Sequence, residues 1–261
     1  MPFAQAGSVR LHYEEQGSGP ETLLLVHGYS GSLVRYMPVM KLLPAGYRVI
    51  AVDLRGSGES DKPEHGYAMK DFADDLAAFA GAVGISSFTL VGHSMGGAVA
   101  YQFAVDHGEL LKAVVFVTPA GADGIDAPSE AMFAEQAKRQ ADRAYSVSVE
   151  RKKQFYRPVP DSIYEQSAIT LEQASPAFLR EAWQGMADLR LGDRLGEIAV
   201  PALMVGADHD ESIELQTVID DYSRIPNCGL YIFSRSNHWP LLEAPEEFAA
   251  LLVDFVEGVN A

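Results

Sequence analysis

Three positions far apart in the chain hold side chains that together could attack a carbonyl. Ser94 lies in Gly92-His93-Ser94-Met95-Gly96, a G-x-S-x-G pattern between the apolar run Phe88–Val91 and the helix-forming run that follows Gly96. A strand, a sharp glycine turn and a helix would lift the serine hydroxyl clear of the backbone, because side chains at 92 and 96 would collide with the neighbouring strand and helix. Such a hydroxyl is a weak nucleophile near neutral pH and needs a base. His238, in Ser236-Asn237-His238-Trp239 after the apolar run Gly229–Phe233, offers one. Asp208 or Asp210, after Pro201–Gly206, could fix the tautomer of that histidine and stabilise its charged form. The order along the chain is Ser, Asp, His. The turn Leu25-Val26-His27-Gly28-Tyr29 ends another apolar run, so the N–H groups of Tyr29 and Met95 are candidates for an oxyanion hole.

These loops need a rigid frame. Val9–Glu15 alternates as a half-exposed strand does, whereas Thr22–Val26, Arg48–Val52, Phe88–Val91 and Ala113–Val117 are continuous apolar runs of the kind buried parallel strands show. Helical patterns separate them over Leu33–Leu43, Met69–Val83 and Gly96–His107. Alternation of strand and helix predicts an α/β sheet with right-handed crossovers. The rhythm stops after Thr118, and Gly121–Ile198 carries only helical stretches broken at Pro158, Pro160 and Pro176. It resumes with Pro201–Gly206, a helix near Glu214–Tyr222, the strand Gly229–Phe233 and a last helix over Pro245–Val256. The expected organisation is a core of residues 1–119 and 197–261 with a helical insertion, 120–196, that faces the site.

The same landmarks resemble the α/β-hydrolase family over nearly the whole length: VHGYSG, VDLRGSGESDKP, VGHSMGGAVA, PALMVGADHD and SNHWPLLEAPEEF, in that order. The resemblance implies an eight-stranded, mostly parallel sheet flanked by helices, with a helical cap inserted after the sixth strand. It implies Ser94 as nucleophile, His238 as general base and acid, and backbone donors at Tyr29 and Met95. At the acid the chain departs from the family pattern, in which a glycine stands three residues before the aspartate. Here Gly206 stands four before Asp210 and two before Asp208. Counting from Pro201 favours Asp210, with Asp208 the alternative.

The remaining residues have plainer readings. His93 is expected to pack away from the nucleophile, His27 to brace the oxyanion loop, and Asp53 to stabilise the turn after its strand. Adjacent Asp208, His209 and Asp210 alternate in direction and lack further ligands at a metal-binding spacing, so no metal is expected. No cofactor is expected either, since neither GSGES nor GHSMGG carries a P-loop lysine or a dinucleotide fingerprint. The single cysteine, Cys228, permits no intrachain disulfide and reads as a turn residue. A net charge of −16, from 20 basic and 36 acidic residues, disfavours nucleic acid and anionic membranes as partners. With no signal-peptide pattern and no apolar run long enough for a membrane span, a cytoplasmic protein is expected.

The reaction that follows from these parts is hydrolysis of a small, mostly uncharged carboxylic ester or lactone through an acyl-enzyme on Ser94. A serine nucleophile, where dehalogenating and epoxide-opening relatives use aspartate, argues against both of those reactions. Carbon–carbon cleavage of ring-fission dienones is the alternative chemistry, and a non-catalytic ligand-binding module is the alternative of another class. Trp239, Phe133 and Trp183 are candidates for substrate contact, and Arg35, Arg157, Arg180 and Arg190 for holding a substrate carboxylate.

Overall fold

A computed structural model describes residues 2–153 and 155–260. Eight strands form one sheet: β1 (Phe3–Ala6), β2 (Val9–Gln16), β3 (Glu21–Val26), β4 (Tyr47–Val52), β5 (Phe88–His93), β6 (Leu111–Val117), β7 (Ala202–Ala207) and β8 (Cys228–Phe233). Their spatial order is β1-β2-β4-β3-β5-β6-β7-β8, with β2 antiparallel to both its neighbours, β1 and β4, and the six strands from β4 to β8 parallel. Strand β1 escapes the sequence reading because Phe-Ala-Gln-Ala has neither an apolar run nor clear alternation. Cys228 opens β8 and is not a turn residue, and burial pushes its thiol up to about 12, which leaves it unreactive.

The period of two along each strand sends alternate side chains to opposite faces. Leu24, Val26, Ile50 and Val52 enter one core; Leu23, Leu25, Val49 and Ala51 enter the other. Helices α2 (Met69–Ala82) and α3 (Met95–Asp106) cover the first face, while α10 (Pro245–Asn260) covers the second. The helical pattern at Leu33–Leu43 is realised as a 3-10 turn, Leu33–Tyr36, that runs into the one-turn helix α1 (Met37–Met40). Two more helices follow in the last third of the chain, α8 (Leu215–Arg224) and the one-turn α9 (Pro240–Glu243).

Between β6 and β7 the chain forms α4 (Glu130–Ala141), α5 (Arg143–Lys153), α6 (Asp161–Gln173) and α7 (Pro176–Ala187). Their starts are legible locally: Ser129 Oγ accepts from Met132 N, and Ser175 Oγ accepts from Phe178 N beside Pro176 at the first helical position. Phe178 anchors α7 on the sheet domain. Its ring is fully buried, with centroids 5.8 to 6.1 Å from the rings of Tyr29, Tyr67 and Phe72, and Ser175 N donates to Gly56 O at 2.8 Å. Among the described residues, no helix is long and apolar enough to cross a membrane. Replacing Phe178 with Ala is expected to lower unfolding free energy by about 3–5 kcal/mol, the range for emptying a buried aromatic site. Urea denaturation of the two proteins measures it, and a loss under about 1 kcal/mol would show that α7 is held mainly elsewhere.

Candidate active site

Ser94 is the one residue between β5 and α3, and its backbone sits at φ 54°, ψ −117°, a conformation costly for a residue with a side chain. The surroundings leave no alternative. Ser94 N donates to Val117 O at 2.9 Å, and Ser94 O accepts from Gly97, Ala98 and Ala120 N at 2.8 to 3.2 Å. A Cβ at Gly92 would stand 2.1 Å from Gly96 O, and one at Gly96 would stand 2.4 Å from Val26 O. The flanking glycines therefore let helix, strand and turn approach one another. As the first residue of α3, Met95 keeps an N–H with no acceptor inside the helix. Gly28 passes so close that a Cβ there would lie 2.9 Å from the Ser94 Cβ, which brings the backbone at Tyr29 beside the same serine.

His238 follows β8 and is held at both backbone and ring. Its carbonyl accepts from His93 Nε2–H at 2.8 Å and from Thr118 Oγ1 at 3.1 Å, and its N–H donates to Asn237 Oδ1 at 2.7 Å. On the ring, Nδ1–H donates to Asp210 Oδ2 at 2.8 Å, so Nε2 is the nitrogen left for chemistry. The Asp210 carboxylate is aimed by its other oxygen, which accepts from Ser212 N at 2.7 Å and Ile213 N at 2.9 Å. Asp208 instead pairs with exposed His209 at 2.7 Å and accepts from Ser236 N. It braces the loops after β7 and β8 and does not reach the His238 ring.

His93 is completely buried, and burial together with the nearby His238 holds its pKa well below the usual histidine range. It acts as a neutral donor to the His238 backbone. His27 is also buried and neutral in character: Nδ1–H donates to Gly28 O at 2.8 Å while Nε2 accepts from Leu54 N at 3.1 Å, tying the Tyr29 loop to the loop after β4. Asp53 accepts from Leu33 N, Glu59 N and His12 Nδ1, which is the turn-stabilising role expected of it.

Ser94 and His238 open into one cavity of about 470 Å³ whose lining includes Tyr29, Trp183, Met186, Ile213 and Trp239. Helix α4 contributes Met132, Glu135, Gln136 and Arg139, positions three and four apart that share one face. Phe133 is on another face and lies outside the lining, its ring covered by the Arg180 guanidinium at 4.2 Å. Periodicity within α4 could have separated Met132 from Phe133 only with the rotation of the helix known. Of the arginines expected near a carboxylate, Arg157 is spent on Ser234 O, Arg235 O and Glu247, Arg180 on Glu130, and Arg190 on three backbone carbonyls. Arg35 is buried beneath Trp239. The arginine on the cavity wall is Arg139, which the sequence reading passed over. Glu243 was passed over too, although its carboxylate accepts from Tyr156, Arg157 and Asn237 N–H groups at 2.8 to 2.9 Å and so joins the helical insertion to the His238 loop.

The family model for the alpha/beta hydrolase fold matches residues 21–245. The chain belongs to the alpha/beta hydrolase family. It is 29% identical to a 2-hydroxy-6-oxononadienedioate/2-hydroxy-6-oxononatrienedioate hydrolase of Paraburkholderia phymatum, an alignment covering 95% of this chain and 91% of that one. Among solved structures, an esterase from Exiguobacterium antarcticum superposes with a TM-score of 0.86 at 25% identity, covering 98% of both chains. An enol-lactonase from Burkholderia xenovorans shares the fold, with a TM-score of 0.85 at 19% identity over 98% of this chain and all of the other.

The two aspartates of this hydrolase are separable by experiment. Asp210→Asn is expected to lower kcat/KM by about 10³–10⁴-fold, because an amide would favour the wrong histidine tautomer. Asp208→Asn removes an exposed pair and is expected to change it by less than about threefold. Parallel steady-state kinetics of the two variants check this, and the reverse ranking would transfer the role to Asp208.

Proposed function

We propose that this hydrolase cleaves a small carboxylic ester or lactone with a mostly apolar, uncharged body, through an acyl-enzyme on Ser94. The observation that carries the reading is that a strained Ser94 and a His238 whose Nδ1 is already committed to Asp210 line the same cavity. In this reading His238 Nε2 takes the Ser94 proton as Oγ attacks the carbonyl carbon, and the N–H groups of Tyr29 and Met95 receive the oxyanion. Collapse of the tetrahedral adduct expels the alkoxide, which leaves with the proton returned by His238. Water deprotonated by the same nitrogen then releases the acid. The helical insertion serves as a cap, and Ile125, Met132, Trp183, Met186, Ile213 and Trp239 give the cavity an apolar, aromatic wall. Trp183 and Trp239 thus stay as substrate contacts, while Phe133 is withdrawn in favour of Met132 and Gln136.

The likeness to the esterase from Exiguobacterium antarcticum supports ester cleavage. Carbon–carbon bond hydrolysis is the second reading, favoured by the similarity to the Paraburkholderia phymatum enzyme. A panel of p-nitrophenyl esters, lactones and a ring-fission dienone separates the two. Wild type is expected to turn over esters or lactones and Ser94→Ala to lose at least about 10³-fold, with a small phosphonate labelling Ser94. Turnover confined to the dienone would select the second reading, and neither turnover nor labelling would remove both.

A further inference from the structure

One guanidinium behind the cavity, Arg35, and one on its wall, Arg139, share the field of a single carboxylate, Glu150. Arg35 is 5% exposed, and among the described residues its Nε and Nη1 meet no acceptor. Its Cζ stands 4.4 Å from the centre of the Trp239 ring, whose face offers partial negative charge but no lone pair. Burial lowers the Arg35 pKa only to about 10, so it remains a cation at neutral pH. Arg139 lines the cavity and directs Nη2 to Glu150, while its Nε is buried without an acceptor. Glu150 is 2% exposed, attracts both arginines, and has a second oxygen, Oε2, with no donor. The group therefore carries one cation in excess at the edge of the candidate active site, with Arg35 and Glu150 out of water and Arg139 partly exposed to the cavity.

Buried charge in excess is expensive, and apolar side chains of similar size would be cheaper at these positions. The charge has a use if a ligand supplies the missing anion. The acidic side chains of the same lining, Asp126 and Glu135, are exposed and belong to its solvent side. Trp239 joins the two parts of the site, since it touches Arg35 on one side and follows His238 in the chain.

We infer that the substrate bears a carboxylate, which Arg139 receives on the α4 wall with Arg35 adding charge from behind Trp239, while the scissile carbonyl lies at Ser94. The inference rests on the ester or lactone reading and narrows it. The body of the substrate is apolar, but its end is an acid, contrary to the wholly uncharged molecule that the acidic composition suggested. Glu150 holds Arg139 in place when no substrate is bound and competes with the incoming carboxylate.

Kinetics with p-nitrophenyl hemiadipate and p-nitrophenyl hexanoate, which share a leaving group and differ in terminal charge, test the inference. Wild type is expected to show a KM for the hemiester at least about tenfold below that for hexanoate, as a charge-assisted contact would give. Arg139→Gln should raise the hemiester KM about 10–100-fold, at least about tenfold more than it changes the hexanoate KM, and Arg139→Lys should recover part of the loss. Glu150→Gln should move the other way and lower the hemiester KM, because it frees Arg139. Equal losses on both esters, a wild-type preference for hexanoate, or a higher hemiester KM in Glu150→Gln would each overturn the anion site. Calorimetry of monomethyl adipate with Ser94→Ala gives a readout independent of turnover. Binding that Arg139→Gln abolishes would sustain the anion site even if Ser94 proved not to be the nucleophile, and no binding to either protein would overturn it.

Discussion

The backbone of Ser94 is the constraint from which the rest of the site follows. A residue at φ 54° between a buried strand and a buried helix is stable only if every neighbouring element enforces it. Strand β6 does so through Val117 O, α3 through the N–H groups that bond Ser94 O, and β3 through its contact with Gly96. Each of those elements is fixed in turn by the parallel sheet. The strain is held by the core of the domain, and its product is a hydroxyl beside the N-terminus of α3, where partial positive charge from free N–H groups accumulates.

The histidine is positioned by a different strategy. Its loop has no regular structure, so separate polar contacts replace the ladder of hydrogen bonds that a strand would supply. His93, adjacent to Ser94 in sequence, donates to the His238 carbonyl, so a buried imidazole ties the turn at Ser94 to the loop of His238. Burial keeps that imidazole neutral, which preserves a single donor and avoids a second positive charge beside His238. Asp210 and Asn237 complete the arrangement with side-chain oxygens that are themselves bonded to backbone N–H groups. Errors in loop position are thereby limited by several short bonds instead of one long element.

The helical insertion reaches the core through two kinds of contact. Phe178 sinks a ring among aromatic residues of the sheet domain, beside Leu171, Leu179 and Met186 in the same core. Glu243 supplies a polar tie from the opposite side, binding the chain between α5 and α6 to the loop of His238. Between the two lies the cavity, so the distance from α4 to Ser94 depends on the seating of both. Arg139, Arg35 and Glu150 belong to this junction, Arg35 and Glu150 buried within it and Arg139 partly open to the cavity.

What the chain alone determined is what depends on neighbouring residues. Gly92 and Gly96 announce the turn because its steric demand is local, and strand-turn-helix context is readable within some twenty residues. The apolar runs mark the parallel strands because burial on both faces leaves no room for alternation, and the same rule hides β1, a mostly exposed edge strand, Phe-Ala-Gln-Ala, that has no such run. Tertiary structure decided the rest. Spacing from Pro201 favours Asp210 but leaves Asp208 open, and the fold of the loop after β7 turns Asp210 to His238 and Asp208 to His209. Phe133 and Met132 are equally apolar, but the rotation of α4 on the core sends one to the cavity and the other under Arg180. Arg139 and Glu243 gave no signal because a charged residue in a polar stretch is ordinarily solvated. Their roles come from Glu150, 11 positions from Arg139, and from Tyr156 and Arg157, 87 and 86 positions from Glu243, and contacts of the longer range are set by packing over the whole domain.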